Sequence, residues 1–315
     1  MTSTTNRISG LLLYVTVLFY CLLTCTRVGD ATGKEKRIPE RIISLAPSIT
    51  ETLFALGLGD KIVGVTSYCI YPPQAKEITR VGSFMSPNFE AMVSLKPDLV
   101  VLVKEDIKVT TFSEKKGLPY LTIDNHNIEA ILGSFIKIGK ACGKTEAALE
   151  LVEKTRGRMD SIANLSRSDK YMASKPKFMI CVGRGGIGAG EISTIWLAGA
   201  DTWYDDIIHA AGGVNVVKDS SMSYVTFSTE GVIRLKPDII IDVMTNMSEF
   251  NSEEIKNDWR KLATVPAVEH DMIYCLSGDY VTIPGPRFVR LLRDIREIVE
   301  EYYTKTPGFV YASKK

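Results

Sequence analysis

The chain has 315 residues and carries 38 Lys+Arg against 37 Asp+Glu, a net charge of +1. With 45% hydrophobic and 24% charged residues, that balance excludes wholesale disorder and lacks the basic excess of a nucleic-acid-binding domain. A three-His metal cage would consume all 3 histidines (His126, His209, His270), and the 6 cysteines form no CxxC pair, so neither a metal centre nor thioredoxin chemistry is expected.

Residues 1–25 read as a targeting segment. Arg7 is the first charge, residues 11–23 are almost wholly apolar, and no acidic residue precedes Asp30. A basic start and ~7–15 apolar residues mark a secretory signal, whereas a membrane-spanning helix needs ~20. A retained N-terminal anchor is the other reading. Leu22-Leu23-Thr24-Cys25 resembles a bacterial lipoprotein box, with Cys25 as the acylated residue; Thr24 stands where Gly, Ala or Ser is usual. Residues 26–37 are polar and read as a flexible tether. The expected location is periplasmic or at the cell surface, as a membrane-anchored lipoprotein.

Residues 38–143 read as a first α/β lobe. A strand is expected over 41–45. Ser48 and Glu51 match a capping box for a helix running to about Leu56, and 61–66 form the next strand. Residues 90–101, EAMVSLKPDLVV, then read as a short helix stopped by Pro97 and followed by a buried strand. The same unit returns at 230–241 as EGVIRLKPDIII, an offset of 140 throughout. Phe84 and Tyr224 extend that register upstream, each six residues before its Glu. Two such units in register indicate a duplicated lobe.

Residues 144–165 contain no proline and repeat apolar residues at helical spacing, so 144–170 is expected to bridge the lobes as one long amphipathic helix. At 1.5 Å per residue it would be about 30 Å long. Residues 171–315 form the second lobe, opening with a strand over 177–182 and continuing to a helix over 205–211. The expected fold is α/β: two similar lobes with mostly parallel sheets, one rigid connecting helix, and a ligand cleft between the lobes. Cys181 and Cys275 lie in strand-like runs and could pair if those strands were neighbours; otherwise both are separate buried thiols.

Gly183-Arg184-Gly185-Gly186-Ile187-Gly188 matches the dinucleotide pattern GxGxxG, but the stretch after it is a poor helix start. A glycine loop open to a bulky ligand is preferred, with Arg184 placed to meet a ligand carboxylate or phosphate. No Ser/His/Asp or paired-carboxylate arrangement supports hydrolysis, and no enzyme activity is expected.

Taken in order, Leu45-Ala46-Pro47-Ser48-Ile49-Thr50-Glu51, Ser67-Tyr68, Tyr71-Pro72-Pro73-Gln74-Ala75, the two Glu…LKPD units and Pro284-Gly285-Pro286-Arg287 resemble the helical-backbone substrate-binding proteins of ABC importers. That family handles cobalamin, ferric siderophores and haem, and the cobalamin-binding branch is the nearest in pattern. The resemblance implies a ligand site containing Pro47, Ser48, Tyr68, Phe84, Tyr224, Asp279 and Tyr280. It also implies that Glu90 and Glu230 dock one per lobe onto a permease dimer, which works with ATPase subunits. The protein would act as a monomer without a cofactor, carrying cobalamin or a similar metal chelate. A haem carrier would need an axial donor such as Tyr68, Tyr71, Tyr224 or Tyr280. A ferric siderophore would call on Arg184 or Arg287. Outside the family, a secreted sensor domain shares the bilobed plan.

Overall fold

The computed structural model describes residues 37–165, 174–188, 192–218, 222–244 and 251–305. The expected signal segment, Cys25 and the tether to residue 36 lie outside them. The chain divides into two units, Met1–Ile38 and Pro39–Lys315, and every element below belongs to the second.

The first lobe comprises β1 (Ile42–Ser44), α1 (Pro47–Ala55), β2 (Ile62–Val65), α2 (Phe89–Ser94), β3 (Leu99–Val103), α3 (Ile107–Lys116), β4 (Tyr120–Ile123) and α4 (Ile128–Ala141). Its strands form a parallel four-stranded sheet in the order β2-β1-β3-β4 among the described residues. Ile42, Leu99 and Val101 enter one core cluster, while Ile43, Val100 and Leu102 enter another. Successive side chains point to opposite faces, so a continuous β-branched run buries both sides of the sheet.

Helix α5 (Thr145–Leu165) follows, packing on α4 and on two helices of the second lobe. Those are α6 (Trp203–Ala211) and α10 (Phe288–Lys305). The second lobe also holds β5 (Lys177–Gly185), β6 (Ser193–Ala198), β7 (Val214–Asn215), β8 (Tyr224–Phe227), α7 (Thr229–Leu235), β9 (Ile239–Met244), α8 (Ser252–Arg260), α9 (Pro266–Glu269) and β10 (Ile273–Ser277). Its main strand order is β10-β9-β5-β6-β8, with β7 beside β5. Strands β10, β9, β5 and β7 are parallel, and β6 runs antiparallel to both of its neighbours, β5 and β8. Only seven residues, 186–192, separate β5 from β6. A parallel return needs a crossover of a dozen or more residues, so the chain turns straight back. Gly183 and Gly185 lie inside β5 rather than at a strand-to-helix turn, and the next described element is β6.

The duplication extends to backbone conformation. Asn88 accepts a hydrogen bond from the Ala91 N–H, and Ser228 accepts one from the Gly231 N–H, each capping its helix at the same offset. Lys96 and Lys236 both adopt φ 47°, the left-handed region. Each precedes a proline, which disfavours the right-handed helical conformation in the residue before it. Asp98 then accepts from the N–H groups of Glu40 and Arg41, and Asp238 from that of Lys177. In both lobes the LKPD aspartate ties the repeat to the start of the lobe's first strand.

Two local expectations are corrected. Helix α1 begins with Pro47 at its first position, is capped by Ala46 without a side-chain bond, and contains no Ser48–Glu51 capping box. Both side chains serve distant partners, described below. Cys181 on β5 and Cys275 on β10 both register with Asp242 on the intervening β9. Two strand spacings are ~9–10 Å, beyond disulfide reach, so Cys181 and Cys275 are not bonded to each other. Burial pushes the Cys275 thiol up to about 11, and Cys181 is also raised.

Candidate ligand cleft

A cavity of about 550 Å³ opens where the two lobes meet. From the first lobe, Leu45, Val103 and Asn125 reach it just beyond or at the carboxyl ends of β1, β3 and β4, where open α/β sheets place ligands. Pro47 and Ser48 line it at the start of α1, and Tyr68, Ile70 and Phe84 from the loops. The second lobe contributes the turn from Asp279 to Pro284. Tyr68 is 71% and Phe84 46% exposed, so both rings are available to a ligand. Among the lining residues Asp279 alone carries a charge.

Arg287 bolts the lobes together behind this cavity. Its guanidinium donates to both Glu51 oxygens of the first lobe at 2.9 and 2.5 Å, and to both Asp279 oxygens of the second at 2.9 and 2.7 Å. It also lies 3.7 Å from the centre of the Tyr71 ring. A planar five-donor fork suits such double bidentate pairing. Burial raises the Glu51 pKa, whereas the hydrogen bond from Arg287 lowers that of Asp279. Beside the bolt, Gly285 leaves no room for a side chain without crowding the backbone of Ser48, where an added Cβ would lie 3.2 Å from Cα.

A second seam joins the lobes near the start of α4. Asp124 pairs with Lys104 at 2.5 Å and with His126 Nδ1 at 2.8 Å. Asn127 donates to Asp201, and Asp206 accepts from the Ile128 N–H. Asn125 donates to Ser48 Oγ, which fixes two cleft-lining residues against each other. Burial pushes the Asp124 pKa up, but hydrogen bonds from Lys104 and His126 outweigh it and hold the group at about 2. A depressed carboxylate stabilises the fold above its unfolded pKa and loses that contribution as pH falls through its folded value. Asp124→Asn is therefore expected to lower stability near neutrality and to flatten its decline between about pH 4 and pH 2. Urea unfolding across that pH range measures it; a slope equal to wild type contradicts the assignment.

The structure gathers Pro47, Ser48, Tyr68, Phe84 and Asp279 around the cavity. It does not bring Tyr280 there. The Tyr280 hydroxyl donates to Asp294 at 2.7 Å, turning the ring toward α10, and burial raises its pKa to about 12. Arg184 is likewise elsewhere. Its side chain is 0% exposed, bonded to Asp242 at 2.8 Å and Asp258 at 3.0 Å, so a ligand carboxylate finds no free face on it. Tyr224 is 47% exposed on β8 but does not line the cavity. Beside it stands Trp196 of β6, 43% exposed, which sequence reasoning missed. Trp196 pairs with Thr226, and Ala198 with Tyr224, so the two aromatics share one sheet face. The alternation of buried Ile195 and Leu197 around Trp196 was the available signal. Gly183 registers with Trp196 and gives the indole a bare backbone neighbour.

Glu90 and Glu230 are exposed at the second residue of α2 and of α7. Hydrogen bonding to its own backbone and to Ser228 lowers the Glu230 pKa. Among the described residues, no helix is long and apolar enough to cross a membrane, and no cluster of His, Cys, Asp or Glu is placed to hold a metal ion.

Two α/β lobes, a connecting helix and a cleft at the strand ends define a bilobed substrate-binding protein. Residues 42–280 match the model of the periplasmic binding protein family, and the chain belongs to that family. It is 30% identical to an uncharacterised ABC transporter substrate-binding lipoprotein, YvrC, of Bacillus subtilis, covering 89% of this chain and 86% of that one. It is 28% identical to the vitamin B12-binding protein of Vibrio cholerae, over 79% and 84% of the two chains. Among solved structures, the periplasmic haem-binding protein RhuT of Roseiflexus sp. RS-1 superposes with a TM-score of 0.70 at 26% identity, covering 84% of this chain and 98% of that one. The chain is thus an extracytoplasmic substrate-binding protein of the ABC importer type.

Proposed function

We propose that the protein captures a corrinoid of the cobalamin class in its cleft and delivers it to an ABC importer permease. The observation that carries this reading is the cavity lining: exposed aromatic rings with Asp279 as the sole charge. Aromatic faces stack on a flat macrocycle. Asp279 and Asn125 offer acceptors to a ligand rich in amide donors, while no cation lines the cavity to receive carboxylates or catecholates. Tyr224 and Trp196 supply a further aromatic surface for a ligand wide enough to reach them. The likeness to the vitamin B12-binding protein supports the same choice. Cys25 anchors the chain by a lipid in this reading, and the protein works as a monomer that performs no covalent chemistry.

Haem is the second reading, favoured by the open phenol of Tyr68, which could serve as an axial donor to ferric iron. The visible spectrum after gel filtration with cyanocobalamin or with haemin separates the two. Cobalamin bands that travel with the protein, without a Soret band from haemin, are expected. A Soret band alone gives the site to haem, and neither spectrum overturns both.

A further inference from the structure

Helices α5 and α10 wall a trough on the far side of the Arg287 bolt from the cleft. Two open hollows of about 710 and about 830 Å³ run into one another there, sharing Lys154, Arg158, Val289 and Arg290. Lys154 and Arg158 stand four residues apart on α5, and Arg290 and Arg293 three apart on α10, so each pair occupies one helical face with ~5–6 Å spacing. All four are exposed, and the larger hollow has no carboxylate among its lining residues.

The pairing of the other cations on these helices sharpens the contrast. Arg156 meets Glu129 at 2.6 Å, Arg296 meets Glu300 at 3.2 Å and Lys305 meets Glu301 at 2.5 Å. Among the described residues, none of the four trough cations has such a partner. The smaller hollow holds two carboxylates, Glu51, which is bonded to Arg287, and Asp60, whereas the four like charges around the larger, acid-free hollow repel one another and focus a positive potential into it. The trough floor is also open. Gly157 lines the larger hollow on the same turns as Lys154 and Arg158, and a Cβ built on it meets nothing within 4 Å.

We propose that this trough is an anion site for a short linear chain of phosphates, distinct from the ligand cleft. Guanidinium forks bind phosphate oxygens bidentately, and Lys154 adds a compact ammonium at one end. Facing rows of cations match successive charges along a chain, and helix walls on both sides favour a slender soluble anion over the flat surface of a bilayer. The expected consequence is that extracytoplasmic polyphosphate-like anions bind the protein whether or not its cleft is filled.

Isothermal titration of the full chain with sodium tripolyphosphate, at ionic strength matched with sodium sulfate, tests the site. Saturable binding is expected, together with a loss of at least about tenfold in Gly157→Glu, which places a carboxylate in the hollow. Glu is a better helix former than Gly, so the thermal midpoint of that variant should hold or rise. Arg158→Glu with Arg293→Glu should act in the same direction. Absence of binding by the wild type overturns the proposal, as does wild-type affinity in a folded Gly157→Glu. Flotation with phosphatidylglycerol vesicles, without any tripolyphosphate binding, overturns it in favour of a lipid surface.

Discussion

Replacing Glu90 and Glu230 together by alanine is expected to abolish uptake while leaving the ligand affinity of the purified protein within about twofold of wild type. The two carboxylates sit at the same position of α2 and α7, and neither lines the cleft. One exposed carboxylate per lobe, at equivalent points of an internal repeat, can meet the basic pockets of a symmetric membrane dimer. A role confined to the helix dipole would change stability only slightly and would leave transport intact. Uptake assays in cells, paired with direct ligand titration, separate the two. Normal transport by the double variant sinks the docking assignment.

Arg184→Ala is expected to cost ~3–5 kcal/mol of stability, because it strands buried carboxylates without their cation. Asp242 accepts from both Arg184 and the Trp259 indole at 2.8 Å, and burial already raises its pKa. The guanidinium also lies 5.4 Å from the centre of the Trp259 ring, inside the second lobe's core. Urea unfolding measures the loss. A loss below ~1 kcal/mol accompanied by weakened ligand binding would return Arg184 to the ligand site, since removing one partner of a buried ion pair leaves the other charge uncompensated and cannot be that mild.

The fold was readable where physics is local. Periodicity gave α5, β-branched runs gave β3 and β9, and the 140-residue offset gave the two related lobes. The cavity lining was readable where motifs fall near strand ends, as with Pro47, Ser48, Tyr68, Phe84 and Asp279. What escaped depends on partners far away in the chain. The Ser48–Glu51 spacing fits a local cap, yet Glu51 is claimed by Arg287, 236 residues distant. Arg184 sits in a glycine-rich pattern suggestive of a loop, but its partners Asp242 and Asp258 follow 58 and 74 residues later. The caps Asn88 and Ser228 were hidden because two different side chains do the same work. Trp196 was obscured because β6 follows a stretch that resembles a nucleotide loop.

The Arg287 bolt also bears on the timing of capture. A lobe junction fastened by two charge-assisted hydrogen bonds from Arg287 to Glu51, with Asp279 fixing the guanidinium from the second lobe, and spanned by a single continuous helix, is expected to hold its mouth at nearly constant width. Such a cleft is expected to have no slow closing step for an arriving ligand to wait on, with an association rate set by diffusion and orientation. Selectivity between similar macrocycles is then expressed in residence time. With no closing step to store strain, the proposed delivery requires that the force parting the lobes come from the membrane partner.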